Sequence, residues 1–133
     1  VSGPCEVLVA DDEPHIGRIV KTKLEQGPFQ VTLVEDGAAA LAAMDANPRF
    51  AVIILDLMMP VLDGLSVLER VRASPAGATL PCVILTAAGQ HEQRARALAL
   101  GATDFLTKPF SPRRLYARVA ELAGLPPAPD LER

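Results

Sequence analysis

Five polar positions stand directly after short apolar runs. Asp11-Asp12 follow residues 6–10, Asp56 follows 50–55, Thr86 follows 81–85 and Lys108 follows 104–107. If these runs are parallel strands of one open sheet, their carboxyl ends form the edge where such sheets bind ligands. Three carboxylates crowded at one edge repel and raise one another's pKa. A hard divalent cation relieves that repulsion, and oxygen donors without a Cys or His pair point to Mg²⁺ or Mn²⁺. Lys108 completes the charge balance. A metal beside a carboxylate, an ammonium and a hydroxyl is a set for phosphoryl transfer, in which one carboxylate can be the nucleophile and yield an aspartyl phosphate. The chain contains no P-loop pattern, so a nucleotide is not the obvious donor.

The elements that must carry these residues alternate along the chain. Apolar runs at 6–10, 29–34, 50–55, 81–85 and 104–107 read as strands. Between and after them lie five helical patterns. Ile16, Ile19, Val20 and Leu24 share one helical stripe, closed by Gly27-Pro28. An Ala-rich helix runs from Gly37 to Asn47. A third is marked by Leu65, Leu68 and Val71, and a fourth, from His91 to Leu100, has only alanines with Leu98 and Leu100 to anchor it. The last opens on Ser111-Pro112, a good cap followed by a good first residue. Strict βα alternation predicts a doubly wound α/β fold: a parallel sheet with right-handed crossovers and helices on both faces. Glu35-Asp36 also end a strand, but an outer one, away from the switch point.

Composition narrows the function classes. The chain has 133 residues, half of them hydrophobic and 22% charged, enough for a single cored domain. A net charge of −3 argues against direct nucleic-acid binding, and no apolar run is long enough for a membrane span. Two cysteines without C-x-x-C spacing exclude a disulfide scaffold or zinc ribbon, and a reducing cytoplasm fits. Cys5 and Cys82 read as small buried hydrophobes, and His15 and His91 as solvated helix residues.

Five segments in order then carry a resemblance. Val9-Ala10-Asp11-Asp12-Glu13-Pro14, Ile54-Leu55-Asp56-Leu57-Met58-Met59-Pro60, Asp63-Gly64, Ile84-Leu85-Thr86-Ala87 and Thr107-Lys108-Pro109-Phe110 resemble the response-regulator receiver domain of two-component signalling, a CheY-like module. The resemblance covers residues 6–124. It implies a flavodoxin-like (βα)5 fold with strand order 2-1-3-4-5, a receiver domain over 1–124 and a Pro-rich tail or linker over 125–133. It implies that Asp56 accepts a phosphoryl group from a sensor histidine kinase or a histidine phosphotransfer protein. Asp11, Asp12, Asp56 and the Met58 backbone carbonyl would hold Mg²⁺, Lys108 would pair with Asp56 and then with the phosphoryl oxygens, and Thr86 would move to hydrogen-bond them. Phe105 would be the aromatic switch, without the hydroxyl a tyrosine brings there. Ala87 would keep the site open, Met58 and Ala88 would flank the path of an attacking water, and Lys108-Pro109 would be a cis bond.

The expected role is a signalling switch with only self-phosphorylation and self-dephosphorylation chemistry, acting on an output domain or effector protein. No output domain is recognisable after residue 124, so either an excised domain or a single-domain regulator is expected. Helix four, strand five and helix five resemble the dimerising face of transcription-factor receivers, with Asp104 and Arg118 as one pair across it. Arg94 and Arg114 would meet there as like charges, so Arg94, Arg114 and Arg118 are expected instead to face an acidic partner. Two rivals stand beside this reading. An Asp-nucleophile phosphatase usually carries a second Asp two residues after the first, where this chain has Met58, and needs a substrate cap. A degenerate receiver, acting only as an interaction module, has no need of intact Asp11, Asp12, Asp56, Thr86 and Lys108.

Overall fold

The computed structural model describes residues 5–87 and 89–125. Ten elements alternate without exception: β1 (Cys5–Ala10), α1 (Pro14–Leu24), β2 (Phe29–Val34), α2 (Gly37–Ala46), β3 (Val52–Asp56), α3 (Gly64–Ala73), β4 (Cys82–Thr86), α4 (His91–Ala99), β5 (Asp104–Thr107) and α5 (Pro112–Leu122). All four strand pairings are parallel, and the order is β2-β1-β3-β4-β5. The chain reverses its direction of winding between β1 and β3, so the crevice of the fold opens above their carboxyl ends. The fold and strand order are those the sequence implies.

Successive strand residues point to opposite faces, which divides the core in two. Leu8, Ile53, Leu55 and Ile84 pack against Ala40, Leu68, Val71 and Ala97 of α2, α3 and α4. Val7, Val9, Ile54, Val83 and Leu85 pack against Val20 and Leu24 of α1 and Leu115 and Val119 of α5. The three inner strands are buried along nearly their whole length, which fits their unbroken apolar sequence. Pro14 and Pro112 each occupy the first turn of a helix, and Ser111 caps α5 through the Arg114 N–H.

Three side chains depart from the sequence reading. Ile19 is exposed, because the inward stripe of α1 runs through Gly17, Val20 and Leu24, one residue round from it. Leu98 is 63% exposed for the same reason: Ala97 is the buried residue of α4, and Leu98 lies about 100° further round. Cys5, at the start of β1, is half-buried, whereas Cys82 is fully buried. The predicted tail over 126–133 lies outside the described residues.

One glycine fixes how the chain leaves the central strand. Gly64 opens α3 directly against β3, and its N–H donates to the Leu57 carbonyl at 2.9 Å. A Cβ there would lie 2.4 Å from the Asp56 carbonyl oxygen and 2.9 Å from the Leu57 Cα, both rigid backbone. Gly64→Ala is therefore expected to destabilise the fold by about 1–3 kcal/mol, measured by urea unfolding; an unchanged midpoint would refute the tight approach.

Candidate functional site

Each strand end delivers one polar group to the same rim. Asp11 follows β1, is fully buried, and accepts the Glu13 N–H on Oδ1 at 2.9 Å. Asp56 is the last residue of β3 and is 6% exposed. Its Oδ1 accepts the Met58 N–H at 3.2 Å and its Oδ2 accepts Lys108 Nζ at 3.0 Å. Thr86 ends β4, fully buried, and its hydroxyl has no hydrogen-bond partner. Lys108 follows β5, on the amino side of a cis peptide bond to Pro109.

Lys108 is the hub. Its Nζ lies 3.0 Å from Asp11 Oδ2, 3.0 Å from Asp56 Oδ2 and 2.7 Å from Glu13 Oε1. Burial alone would weaken its charge, but the bonds to Glu13, Asp11 and Asp56 override that and hold its pKa above the ordinary lysine range. Asp56 feels the opposite balance. Burial pushes its carboxyl up to about 6, against the pull of Lys108, and the neighbouring Asp11 charge adds to the rise. Glu13 is held below the usual carboxylate range, chiefly by its hydrogen bond to Lys108.

One carboxylate oxygen each from Asp11, Asp12 and Asp56 lies within 4.8 Å of the others. Asp11 Oδ2 is buried and makes no aligned hydrogen bond, only its ion contact with Lys108. A hard-oxygen set with a buried oxygen held only by an ion contact, and with excess negative charge, suits Mg²⁺ or Mn²⁺. The structure thus brings Asp11, Asp12, Asp56 and Lys108 into one cluster and leaves Thr86 at the end of the adjoining strand.

Met58 sits beyond Asp56 with its side chain 59% exposed, and Ala87 is exposed beyond Thr86. Ala88 lies outside the described residues. Phe105 is half-buried against the α2–α4 side of the core, with the Arg94 guanidinium 5.3 Å from its ring centre. Arg118, set by the sequence reading against Asp104 across a dimer or against an acidic partner, is paired here within the chain. Its Nε bonds Asp104 at 2.6 Å and its Nη1 bonds Glu121 at 2.8 Å within the same chain.

Two residues of this neighbourhood carried no role in the sequence reading. Glu13 occupies the N-cap position of α1 without capping it, which leaves its carboxylate free to reach Lys108. Gln90 precedes α4, and its side-chain oxygen accepts the Ala87 N–H at 2.7 Å. A third acid after an acid pair was the one visible signal for Glu13; Gln90 offered none.

An acid cluster and a lysine thus stand together at the switch point of a five-stranded parallel α/β sheet. The model of the response regulator receiver domain matches residues 7–120, and the chain belongs to that family, the receivers of two-component signalling. It is 39% identical over 118 residues to the probable transcriptional regulator ycf27 of Cyanophora paradoxa, an alignment covering 88% of this chain and 47% of that protein. The chain thus spans about half the length of the curated relatives it matches. Among solved structures, the receiver domain of the Francisella response regulator 1452 superposes with a TM-score of 0.82 at 39% identity, over 90% of this chain and 97% of that one. The receiver domain of the sensor histidine kinase PA1611 from Pseudomonas aeruginosa PAO1 has a magnesium ion coordinated in its active-site cleft. It superposes with a TM-score of 0.83 at 31% identity, over 92% of this chain and 99% of that one.

The raised Asp56 pKa has a consequence for stability. A carboxyl whose folded pKa lies above its unfolded value costs nothing while it is protonated in both states. The penalty grows as pH rises from about 4 and is complete above about 6. Without metal, Asp56→Asn should therefore stabilise the protein by about 1–3 kcal/mol at pH 7.5, and the gain should disappear at pH 4. Thermal unfolding in EDTA at the two pH values measures this; an equal gain at both would contradict it.

Proposed function

We propose that Asp56 is the phosphoacceptor of this receiver, taking a phosphoryl group from a phosphohistidine on a sensor histidine kinase or histidine phosphotransfer protein. The observation that carries this reading is the Asp56 carboxylate itself. It is buried at the end of the central strand, gripped by Lys108 at 3.0 Å and clustered with Asp11 and Asp12. Asp56 Oδ attacks phosphorus, an O–P bond forms and the N–P bond of the donor breaks. The electron pair returns to the imidazole nitrogen, which takes a proton from water.

Attack needs Asp56 ionised, and Lys108 favours that form. Lys108 also offers its charge to the phosphoryl oxygens, and Asp11 and Glu13 keep it oriented at the rim. The buried Thr86 hydroxyl supplies a donor with no competing partner in the resting protein. Mg²⁺, held by Asp11, Asp12, Asp56 and the Met58 carbonyl, would supply the charge neutralisation that lets an anion approach an acidic rim. Met58 and Ala88 would flank the path of an attacking water, and neither side chain can hydrogen-bond one.

The protein acts on this reading as a switch, its only chemistry being gain and loss of its own phosphoryl group. It acts in the cytoplasm on an output domain or effector protein. The receiver unit spans 1–124, and 125–133 serves as a tail or linker.

Incubation with Mg²⁺ and acetyl phosphate should add one phosphate per chain by intact-mass spectrometry. Asp56→Asn should take none, and EDTA should suppress the reaction in the parent; full labelling in either case would end the proposal. Met58→Asn should shorten the lifetime of the phosphorylated form, since an amide there can align a water. An unchanged decay rate would show that Met58 does not guard the phosphoryl group.

A further inference from the structure

The β3–β4 ladder stops one rung early, and the missing rung lies at the site. Ile53 N–H donates to the Pro81 carbonyl, and Leu57 N–H donates to the Leu85 carbonyl at 3.1 Å. In this parallel register the next donor is the Ala87 N–H and the next acceptor the Leu57 carbonyl. That acceptor is taken by the Gly64 N–H at 2.9 Å. The Ala87 N–H instead donates to the side-chain oxygen of Gln90 at 2.7 Å, and the Gln90 N–H closes the same turn onto the Ala87 carbonyl at 3.4 Å.

The Ala87 amide is thus the first donor of β4 beyond the sheet. It stands across from Met58, whose own N–H holds the Asp56 carboxylate. Thr86, the residue before it, has its hydroxyl unpartnered. A phosphoryl group on Asp56 brings acceptor oxygens to a rim where one N–H is covered by a side chain of the chain itself.

Gln90 is also the residue from which α4 starts. It makes no side-chain cap to that helix, while its carbonyl accepts the Arg94 N–H at 3.0 Å. The helix beyond is thinly packed, with Ala97 its one buried residue. Its other end is pinned: Arg72 donates to the Gly101 carbonyl through Nε and Nη2, and through Nη1 to the carbonyls of Gly77 and Leu80.

We propose that Gln90 is a latch, its amide oxygen occupying the Ala87 N–H that a phosphoryl group on Asp56 must take over, so that phosphorylation frees the first turn of α4. This rests on Asp56 being the phosphoacceptor. Gln90 acts here as a positioning residue, since it meets the phosphoryl group only through the amide it surrenders.

The test is titration of the whole chain with beryllofluoride in the presence of Mg²⁺, read by NMR of the backbone amides and by hydrogen exchange in α4. In the parent protein, saturation should speed exchange of the Arg94 N–H. Gln90→Ala and Gln90→Met should both bind beryllofluoride about two- to tenfold more tightly, the range that one released hydrogen bond gives. In both, the first turn of α4 should exchange fast before ligand is added and change little afterwards. Unaltered affinity in both variants, or an α4 in the parent that does not respond to saturation, overturns the latch and leaves the Asp56 reading standing. A Gln90→Met protein that matches the parent while Gln90→Ala departs assigns the effect to side-chain bulk and overturns it too. No binding of beryllofluoride by the parent overturns the Asp56 reading and the latch together.

Discussion

Everything at the rim answers to one constraint: four carboxylates stand around a single ammonium. Asp11, Glu13 and Asp56 all contact Lys108 Nζ at 3.0 Å or less, and Asp12 completes the acid cluster. At such separations like charges repel strongly, most of all where burial removes water. The fold accepts this because the strands leave no alternative. Asp11 follows β1 and Asp56 ends β3, two adjacent strands whose buried apolar residues fix the register. The acids cannot separate without breaking the sheet. A cation, a phosphoryl group or a proton changes that balance at once, and this makes a rigid sheet edge responsive.

The surrounding elements divide into those that hold this edge and those that can report on it. α1 and α5 pack against one face through Val20, Leu24, Leu115, Tyr116 and Val119. Phe29 meets Tyr116 edge-on at 5.4 Å, closing that side. α3 buries Val67, Leu68 and Val71 on the other. α4 differs in kind. Its attachment is made by side chains at points: Gln90 at its start, Arg94 over Phe105, and Arg72 at the Gly101 corner. Such polar attachments are each worth far less than a buried apolar face. A small change in free energy at the rim can therefore move α4 while leaving α1, α3 and α5 in place.

Much of the fold and of the rim was legible in the sequence because it depends on backbone periodicity. Short unbroken apolar runs such as 52–55 and 82–85, set between helical patterns, read as doubly covered strands, and the polar residue closing each emerges at the carboxyl edge. The positions of Asp56, Thr86 and Lys108 follow from this rule. What escaped depended on side-chain direction. Ile19 and Leu98 are each a single residue round from a buried neighbour, an angular difference that short, alanine-rich or mixed helices do not encode clearly. Arg118 and Asp104 are a legible pair, but hydrophobic patterning does not say whether they meet across a dimer or, as here, within one chain, where Glu121 on the same helix is the second acid. Glu13 and Gln90 are flexible polar side chains beside helix starts. Their partners follow from loop conformation, about which hydrophobic patterning says nothing.

The two ends of α4 show how a change at the rim acquires direction. At the far end, one guanidinium ties three carbonyls from the α3–β4 loop and the Gly101 corner, and Thr103 is bound to Cys82 through both its amide and its hydroxyl. Displacing that end means leaving several partly buried carbonyls without a donor, a cost that accumulates bond by bond. At the near end a single side-chain bond joins Gln90 to the residue after Thr86. Helices are stiff over nine residues, so a helix fixed at one end and released at the other can only swing about the fixed end. The motion is then largest near His91 and Arg94 and smallest near Gly101. Arg94 is the side chain that covers Phe105, so a swing of this kind uncovers an aromatic on β5 as it frees the helix. On the latch proposal the acidic rim and the α4–β5 surface would be linked through a fixed pivot and one exchangeable hydrogen bond, with no rearrangement of the sheet between them.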